Sequence, residues 1–248
     1  MAQLWSELAW PRIRDCAQQG HVVILPCGTT EQHGYHLPTD VDVYDVFEVA
    51  RRAAEAVPQA LVAPPLAYGF SPSNASFPGT LTLRAGTWST LVSEICQGIS
   101  RAGFKKIVLL NGHGGQANLA IATAQAIEHE QGIIVLVATW FQLVADEIER
   151  LFGVRGLNHA GEWETAMQLY LRPQLAHQGE PVANPYVPPF PFLRWAGTAM
   201  EIPREKLSPS GVMGDPTRAS AEKGKALLDV AVDKLADLVR QFYNSPPL

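Results

Sequence analysis

The side chains of this sequence that could do chemistry fall into three short stretches. The densest is Glu31-Gln32-His33-Gly34-Tyr35-His36-Leu37-Pro38-Thr39-Asp40-Val41-Asp42, directly after an apolar Val-Val-Ile-Leu run. Side chains alternate along extended backbone, so Glu31 and His33 project to the same side. A carboxylate and an imidazole converging from a strand end is how oxygen and nitrogen ligands are presented to a divalent metal. Asp42, where a helical pattern begins, can return a second carboxylate to that point. One loop histidine is most often a polar residue bonded to backbone. Two carboxylates and two imidazoles within one short stretch after a buried strand weigh the other way.

The second stretch is Asn111-Gly112-His113-Gly114-Gly115, between an apolar run and a helical pattern. Glycine-rich turns at helix starts often cradle phosphate, but no Lys-Ser/Thr follows, which excludes a Walker-type loop. The small neighbours instead clear space around the His113 imidazole. The third stretch is His159-Ala160-Gly161-Glu162-Trp163-Glu164-Thr165. Glu162 and Glu164 are two apart and cannot share a helix face. At most one of them reaches a metal, leaving the other to act on substrate, brace a ligand or face solvent. Together the stretches supply Glu, His, Asp, His and Glu without a cysteine. That donor set suits Zn, Mn or Fe, and it suffices for two ions if one carboxylate bridges. Cys27 precedes the first turn and reads as structural.

Short apolar runs alternating with helical patterns must position these residues, the order expected of α/β architecture. Strands are expected over 21–26, 61–66 (at an edge, given its two prolines), 106–110 and 133–139. Helices are expected over 43–56, 88–102, 116–130, 141–152 and 163–171. In an open parallel sheet, ligands bind beyond the carboxyl ends of the strands, which puts the first two stretches at one sheet edge. Residues 181–203 carry Pro181, Pro185, Pro188, Pro189 and Pro191, which forbid regular helix or a central strand. Tyr186, Phe190, Phe192 and Trp195 among them suggest an ordered loop covering a site or meeting a neighbouring subunit. A last helix is signalled by Asp215 as cap and Pro216 in its first turn, with Leu227, Val230, Leu235, Leu238 and Phe242 as its apolar face.

Composition bounds the rest. The chain has 248 residues, 47% hydrophobic and 17% charged, with net charge −5. Disorder is excluded, because a disordered chain is richer in charge and poorer in apolar residues. One domain over 1–248 is expected. Mild acidity without a Lys/Arg run gives nucleic acid or an anionic membrane nothing to hold. Three widely spaced cysteines do not make a disulfide framework. The absence of a basic-then-apolar leader and of a long apolar run points to a cytoplasmic location.

With Glu31-Gln32-His33-Gly34 through Asp42, the Phe77-Pro78-Gly79-Thr80 turn, Asn111-Gly112-His113-Gly114-Gly115, His159-Ala160-Gly161 with Glu164-Thr165, and the stretch 211–216, the chain resembles the creatininase (creatinine amidohydrolase) family. The resemblance covers most of 22–225. It implies a three-layer α/β/α sandwich with a mostly parallel sheet and a two-metal centre. It also implies hydrolysis of non-peptide or modified amide C–N bonds, and a homo-oligomer, often a hexamer built from dimers. Carried over by position, Glu31, His33, Asp42 and His113 match the family's metal ligands, with Asp42 bridging. Creatininase proper places a last ligand glutamate two residues after the Asn-Gly-His histidine, where this sequence has Gly115. That departure puts creatinine itself in doubt and resembles the Gly-Gly branch, which includes formamide deformylases and a peptide-processing member. There the fifth ligand would come from the third stretch, and Glu164 fits better than Glu162. Ser73-Asn74, where many relatives carry Glu-His, is a second departure and would face the substrate.

The expected activity is therefore a metal-dependent amidohydrolase acting on a small-molecule amide. His159 would protonate the leaving nitrogen, and Glu162 would assist or replace it. Trp163, Trp195 and Tyr35 would wall a planar substrate. An isomerase or lyase using the same ligands, or a non-catalytic metal-binding protein, are the rival readings.

Overall fold

A chain in which Val22 to Cys27 and Ile107 to Asn111 are all buried must cover its sheet on both faces. The computed structural model, which describes residues 2–153, 158–194 and 198–246, shows how. In chain order the elements are β1 (Gln3–Leu4), α1 (Trp10–Gln18), β2 (Val22–Cys27), α2 (Val41–Ala56), β3 (Ala60–Val62), α3 (Ala85–Arg101), β4 (Lys106–Asn111), α4 (Ala117–Gln131) and β5 (Val135–Thr139). Then follow α5 (Trp140–Leu143), α6 (Ala145–Phe152), α7 (Glu162–Leu171) and α8 (Ala221–Asn244). The five strands form one parallel sheet in the order β1-β3-β2-β4-β5.

Period-two alternation sorts the strand residues into two cores. Val22, Ile24, Val108 and Leu110 point into a core shared with α2 and α5 to α8. Val23, Leu25, Ile107 and Leu109 point into a core shared with α1, α3 and α4, where Trp88 and Phe104 are fully buried. The result is an α/β fold with helices on both sides of the sheet.

The functional consequence lies in the adjacent strands β2 and β4. The chain leaves β2 for α2 on one face, and leaves β4 for α4 on the other. Where neighbouring strands send their helices to opposite faces, a crevice opens beyond their carboxyl ends. Asp42 and residues 113–115, which follow β2 and β4, line the cavity there.

Several expected elements are altered. The strand expected over 61–66 closes at Val62, with Leu66 rejoining only as an isolated bridge to Cys27. It is also not an edge, because two-residue β1 pairs outside it. The helix expected over 141–152 breaks at Val144 (φ −119°, ψ 24°), which lets Trp140, Val144, Ile148 and Phe152 all enter one core. Asp215 caps only the short 3-10 turn Pro216–Arg218. The last helix starts at Ala221, where the Ser220 side chain accepts from the Lys223 N–H. The segment 181–203 holds no α-helix or strand among its described residues, and Phe190 and Phe192 stack at 5.3 Å while staying exposed. Trp195 lies outside the described residues.

Candidate metal centre

Each ligand candidate is aimed by hydrogen bonds of its own loop. His33 is buried, and its Nδ1 lies 3.1 Å from the Glu31 backbone carbonyl. That carbonyl can only accept, so Nδ1 donates to it, and Nε2 is left facing Asp42 Oδ1 at 3.3 Å and Glu164 Oε1 at 4.0 Å. Asp42 sits in the first turn of α2, and the Thr29 hydroxyl donates to its Oδ2. His113 follows β4 in a turn clasped by Asn111, whose Nδ2 donates to the His113 carbonyl (2.7 Å) and to Thr139 Oγ1 (3.1 Å). The clasp directs His113 Nδ1 to within 3.1 Å of Asp42 Oδ2 and 3.3 Å of Glu31 Oε1. Two glycines make this approach possible. A Cβ at Gly112 would stand 2.6 Å from the Asp42 carbonyl oxygen, and one at Gly115 would stand 2.5 Å from His113 Nε2.

Glu164 arrives from the other side of the crevice, in the first turn of α7, where the helix dipole favours a carboxylate. Ala160 takes up the left-handed region (φ 49°), a conformation that costs a non-glycine residue roughly 1 kcal/mol. This turns its N–H to donate to Glu164 Oε2. Strain of this kind collects at functional sites.

Ligand atoms of Glu31, Asp42 and His113 lie within 4.8 Å of one another, as do those of His33, Asp42 and Glu164. Asp42 belongs to both groups. A third group joins Glu31, His33 and His159. Neither Glu31 oxygen has a hydrogen-bond partner although the residue is fully buried, and His33 Nε2 is equally unpartnered. Buried ionisable groups without partners are expensive unless a cation compensates them. This donor set of three carboxylates and two imidazoles, each imidazole oriented through its neighbours, fits divalent metal.

The same charges act on protonation. Burial pulls His33 down, but Asp42, with Glu164 and Glu31, outweighs it and holds the imidazole at about 10. Burial likewise opposes, and Glu31 and Asp42 likewise carry, His113 to about 10. Burial would raise Glu31, yet His113 brings it down to about 2. For Glu164, burial prevails over the His33 charge and raises the carboxyl to about 7.

His159 lies beside these groups, its ring 4.5 Å from that of His33. His159 Nε2 lies 2.9 Å from Gln32 Nε2 and 2.8 Å from the Gln32 backbone carbonyl, which can only accept, while Gln32 Nε2 has acceptors in Asn74 Oδ1 (2.8 Å) and the Gly211 carbonyl (3.3 Å). The network thus assigns the His159 proton to Nε2, which donates to the Gln32 carbonyl at 2.8 Å. Its Nδ1 lone pair faces Glu31 Oε1 at 3.5 Å. Burial, the His33 charge and Arg204 push His159 well below its ordinary value, so it is neutral at pH 7.

Other expected participants are elsewhere. Glu162 points away from the cluster, accepting from Asn158 Nδ2 at 2.7 Å and facing Arg218 at 3.9 Å. Its separation from Glu164 is what two-residue helical spacing dictates. His36 meets Thr165 Oγ1 at 2.9 Å, and Asp40 pairs with Arg172 through two bonds of 2.7 and 2.8 Å. Tyr35 is exposed and does not line the cavity; Trp163 does. Asn74 is fully buried and braces Gln32 instead of facing the cavity. Sequence reasoning passed over Thr29, Gln32 and Arg204, none of which has a spacing that distinguishes it from an ordinary polar residue.

A cavity of about 530 Å³ opens onto the cluster, lined by Asp42, His113, His159 and Glu164 together with Phe141, Trp163 and Arg204. No helix among the described residues is long and apolar enough to cross a membrane.

Comparison with known proteins places the chain in a family. A protein-family profile described as "Creatininase: Creatinine amidohydrolase" matches residues 6–239. The creatinine amidohydrolase of Pseudomonas putida is 30% identical over 98% of this chain and 97% of its own length. The mycofactocin precursor peptide peptidase of Mycolicibacterium smegmatis is 32% identical over 89% of this chain and 85% of its own length. A solved structure described as "Creatininase Mn" superposes with a TM-score of 0.86 at 28% identity, over 99% of this chain and 100% of the other. With its parallel sheet, its crevice and this extent of matching, the chain belongs to the creatininase family.

Proposed function

We propose that the protein is a dinuclear metal-dependent amidohydrolase that cleaves an amide C–N bond outside ordinary peptides. The observation that supports it most directly is the double membership of Asp42. One carboxylate serves Glu31 and His113 on one side and His33 and Glu164 on the other, which is the layout of a bridged pair of ions. Glu31, Asp42 and His113 would hold one ion, and His33, Asp42 and Glu164 the second. Zn, Mn or Fe suits these donors, and a relative's structure carries Mn in its description. Bound ions would polarise the amide carbonyl and lower the pKa of water at the site.

The chain's own residues do the rest. His159, neutral and with Nδ1 open to the cluster, takes a proton there and delivers it to the departing nitrogen. Gln32 keeps that ring in one tautomer through its carbonyl. Phe141 and Trp163, tilted against each other at 5.3 Å, give the cavity an apolar wall that excludes water. Glu162 is left with the supporting task of holding Asn158, also in the cavity lining. Gly115, in place of the glutamate of creatininase proper, favours a substrate other than creatinine. The exposed Val187, Phe190 and Phe192 are proposed as subunit contacts of a homo-oligomer, which would act in the cytoplasm on a small-molecule amide.

The test is turnover of metal-loaded protein against cyclic amides, formamides and short peptides, followed by amine and acid release. Hydrolysis releases an amine and an acid together, whereas an isomerase releases neither. Metal content near two per chain, falling to about one in His113→Ala, is expected. Under half a metal per chain, unchanged in that variant, would overturn the two-ion reading.

A further inference from the structure

Arg204 is a buried cation without an anion. The residue is only 7% exposed and lines the same cavity as His113, His159 and Glu164. Its Nε donates to Asn74 Oδ1 at 3.3 Å, and its Nη1 meets the Met213 thioether, a weak acceptor. Among the described residues no carboxylate lies within ion-pair distance of it. Asn74, its one good acceptor, is a neutral amide. Arginines are almost never buried without a partner, because a desolvated guanidinium needs a counter-charge or a full set of acceptors. By contrast Arg172, equally buried, has the Asp40 carboxylate at 2.7 Å. Burial lowers it, while Glu31, Glu164 and the exposed Glu201 act on it only beyond ion-pair distance.

We infer that Arg204 is the anchor for a carboxylate on the substrate, so that the enzyme acts on N-acylated amino acids or related amides bearing a free acid group. The inference rests on the cavity being the substrate site, as in the reading above. A planar guanidinium fork matches a carboxylate through paired N–H donors. The acid group's single charge also suits the place. One guanidinium neutralises one carboxylate, whereas a phosphate would bring a second charge close to Asp42, Glu31 and Glu164. Held at Arg204, the substrate's far end fixes which amide carbonyl faces the metal cluster, a positional contribution to rate.

The experiment measures dissociation constants of hippurate, hippuramide and benzyl phosphate on metal-loaded protein, using wild type, Arg204→Met, Arg204→Gln and Arg204→Lys. Hippurate is expected to bind wild type at least about 10-fold more tightly than hippuramide, the scale of a charge-assisted pair. The ratio should fall to near one in the Met and Gln variants and persist in part with Lys. Equal binding of acid and amide by wild type overturns the inference. So does a ratio unchanged in a folded neutral variant, as ligation by the metals alone would give, and so does tighter binding of benzyl phosphate than of hippurate. Equal binding by wild type overturns it even if one variant fails to fold, and Met, Gln and Lys give three chances of a folded comparison. Selective hippurate binding without hydrolysis of any acyl amide would sink the hydrolase reading, and with it the N-acyl amino acid substrate, and leave Arg204 standing as a carboxylate anchor.

Discussion

Filling the metal centre should expel protons, and the number follows from the site. Without ions at pH 7, His33 and His113, both held at about 10 by the carboxylates, are protonated. Glu164, raised to about 7, is half protonated. Ligation requires neutral imidazole and ionised carboxylate, so binding two divalent ions should release at least about 2 to 2.5 protons. The sign is fixed by the raised values: protons compete with metal below about 10, and affinity rises with pH. Removing a proton at pH 7 from a group titrating near 10 costs on the order of 4 kcal/mol, at about 1.4 kcal/mol per unit. The combined affinity for two ions should therefore climb by about two decades per pH unit between pH 7 and 9. Calorimetric titration of metal-free protein with Zn or Mn, in buffers of differing ionisation heat, counts the protons directly. His33→Gln and His113→Gln should each remove about one from the count. Release of fewer than one proton, or affinity flat from pH 7 to 9, would refute the account of how carboxylates and imidazoles share this pocket.

Glu164→Gln and Gly115→Ala should damage opposite halves of the centre. The first removes a ligand of the His33 group, and the second drives a Cβ into the His113 ring. Each should leave about one ion per chain by elemental analysis and lower turnover at least about 100-fold; full occupancy in either would contradict the grouping. Thr29→Val strips the hydroxyl that donates to Asp42 and should weaken metal binding about 10–100-fold with the circular dichroism spectrum unchanged. Asp45 is buried, accepts from Gln168 at 2.7 Å, and is raised well above its ordinary value by burial and by Glu164. A carboxyl raised in the folded state costs stability once pH passes its unfolded value, and the cost grows up to the folded one. Asp45→Asn should therefore raise Tm of the metal-free protein by an amount that widens from pH 5 to 8, and a difference that narrows would reject this.

What could be read from sequence divides by physical cause. β2 and β4 announce themselves because strands buried on both faces must be continuously apolar. β1 does not, since two residues cannot show a period and the pairing of Gln3 and Leu4 with Leu61 and Val62 is a tertiary event. The two prolines after Ala63 shorten β3 by removing ladder donors, while its interior place depends on β1. Asp215 and Ser220 are both good caps, and sequence does not say which of two closely spaced caps starts the long helix. At the site, Glu31, His33, Asp42 and His113 were legible because their chemistry is concentrated next to buried strands. The choice of Glu164 over Glu162 came from family resemblance, and helical geometry agrees with it. Gln32 and Arg204 were not legible, because their partners His159 and Asn74 lie more than a hundred residues away in the chain.

The element that supplies the last carboxylate also decides where the cavity opens. A side chain at position 115 would start against the His113 ring, on the β4 side of the crevice. Here the Gly114-Gly115 turn lines open space on that side, and the carboxylate enters from α7 opposite. Glu164 can reach the His33 group because Ala160, Gly161 and the start of α7 turn it inward, with one oxygen held by the Ala160 N–H. The other oxygen is then free for a cation. Phe141 stands beside Gly114, and Arg204 lines the same cavity. A carboxylate carried by α7 thus completes the donor group of His33 and Asp42 while the Gly114-Gly115 turn leaves its own side of the cavity without a side chain.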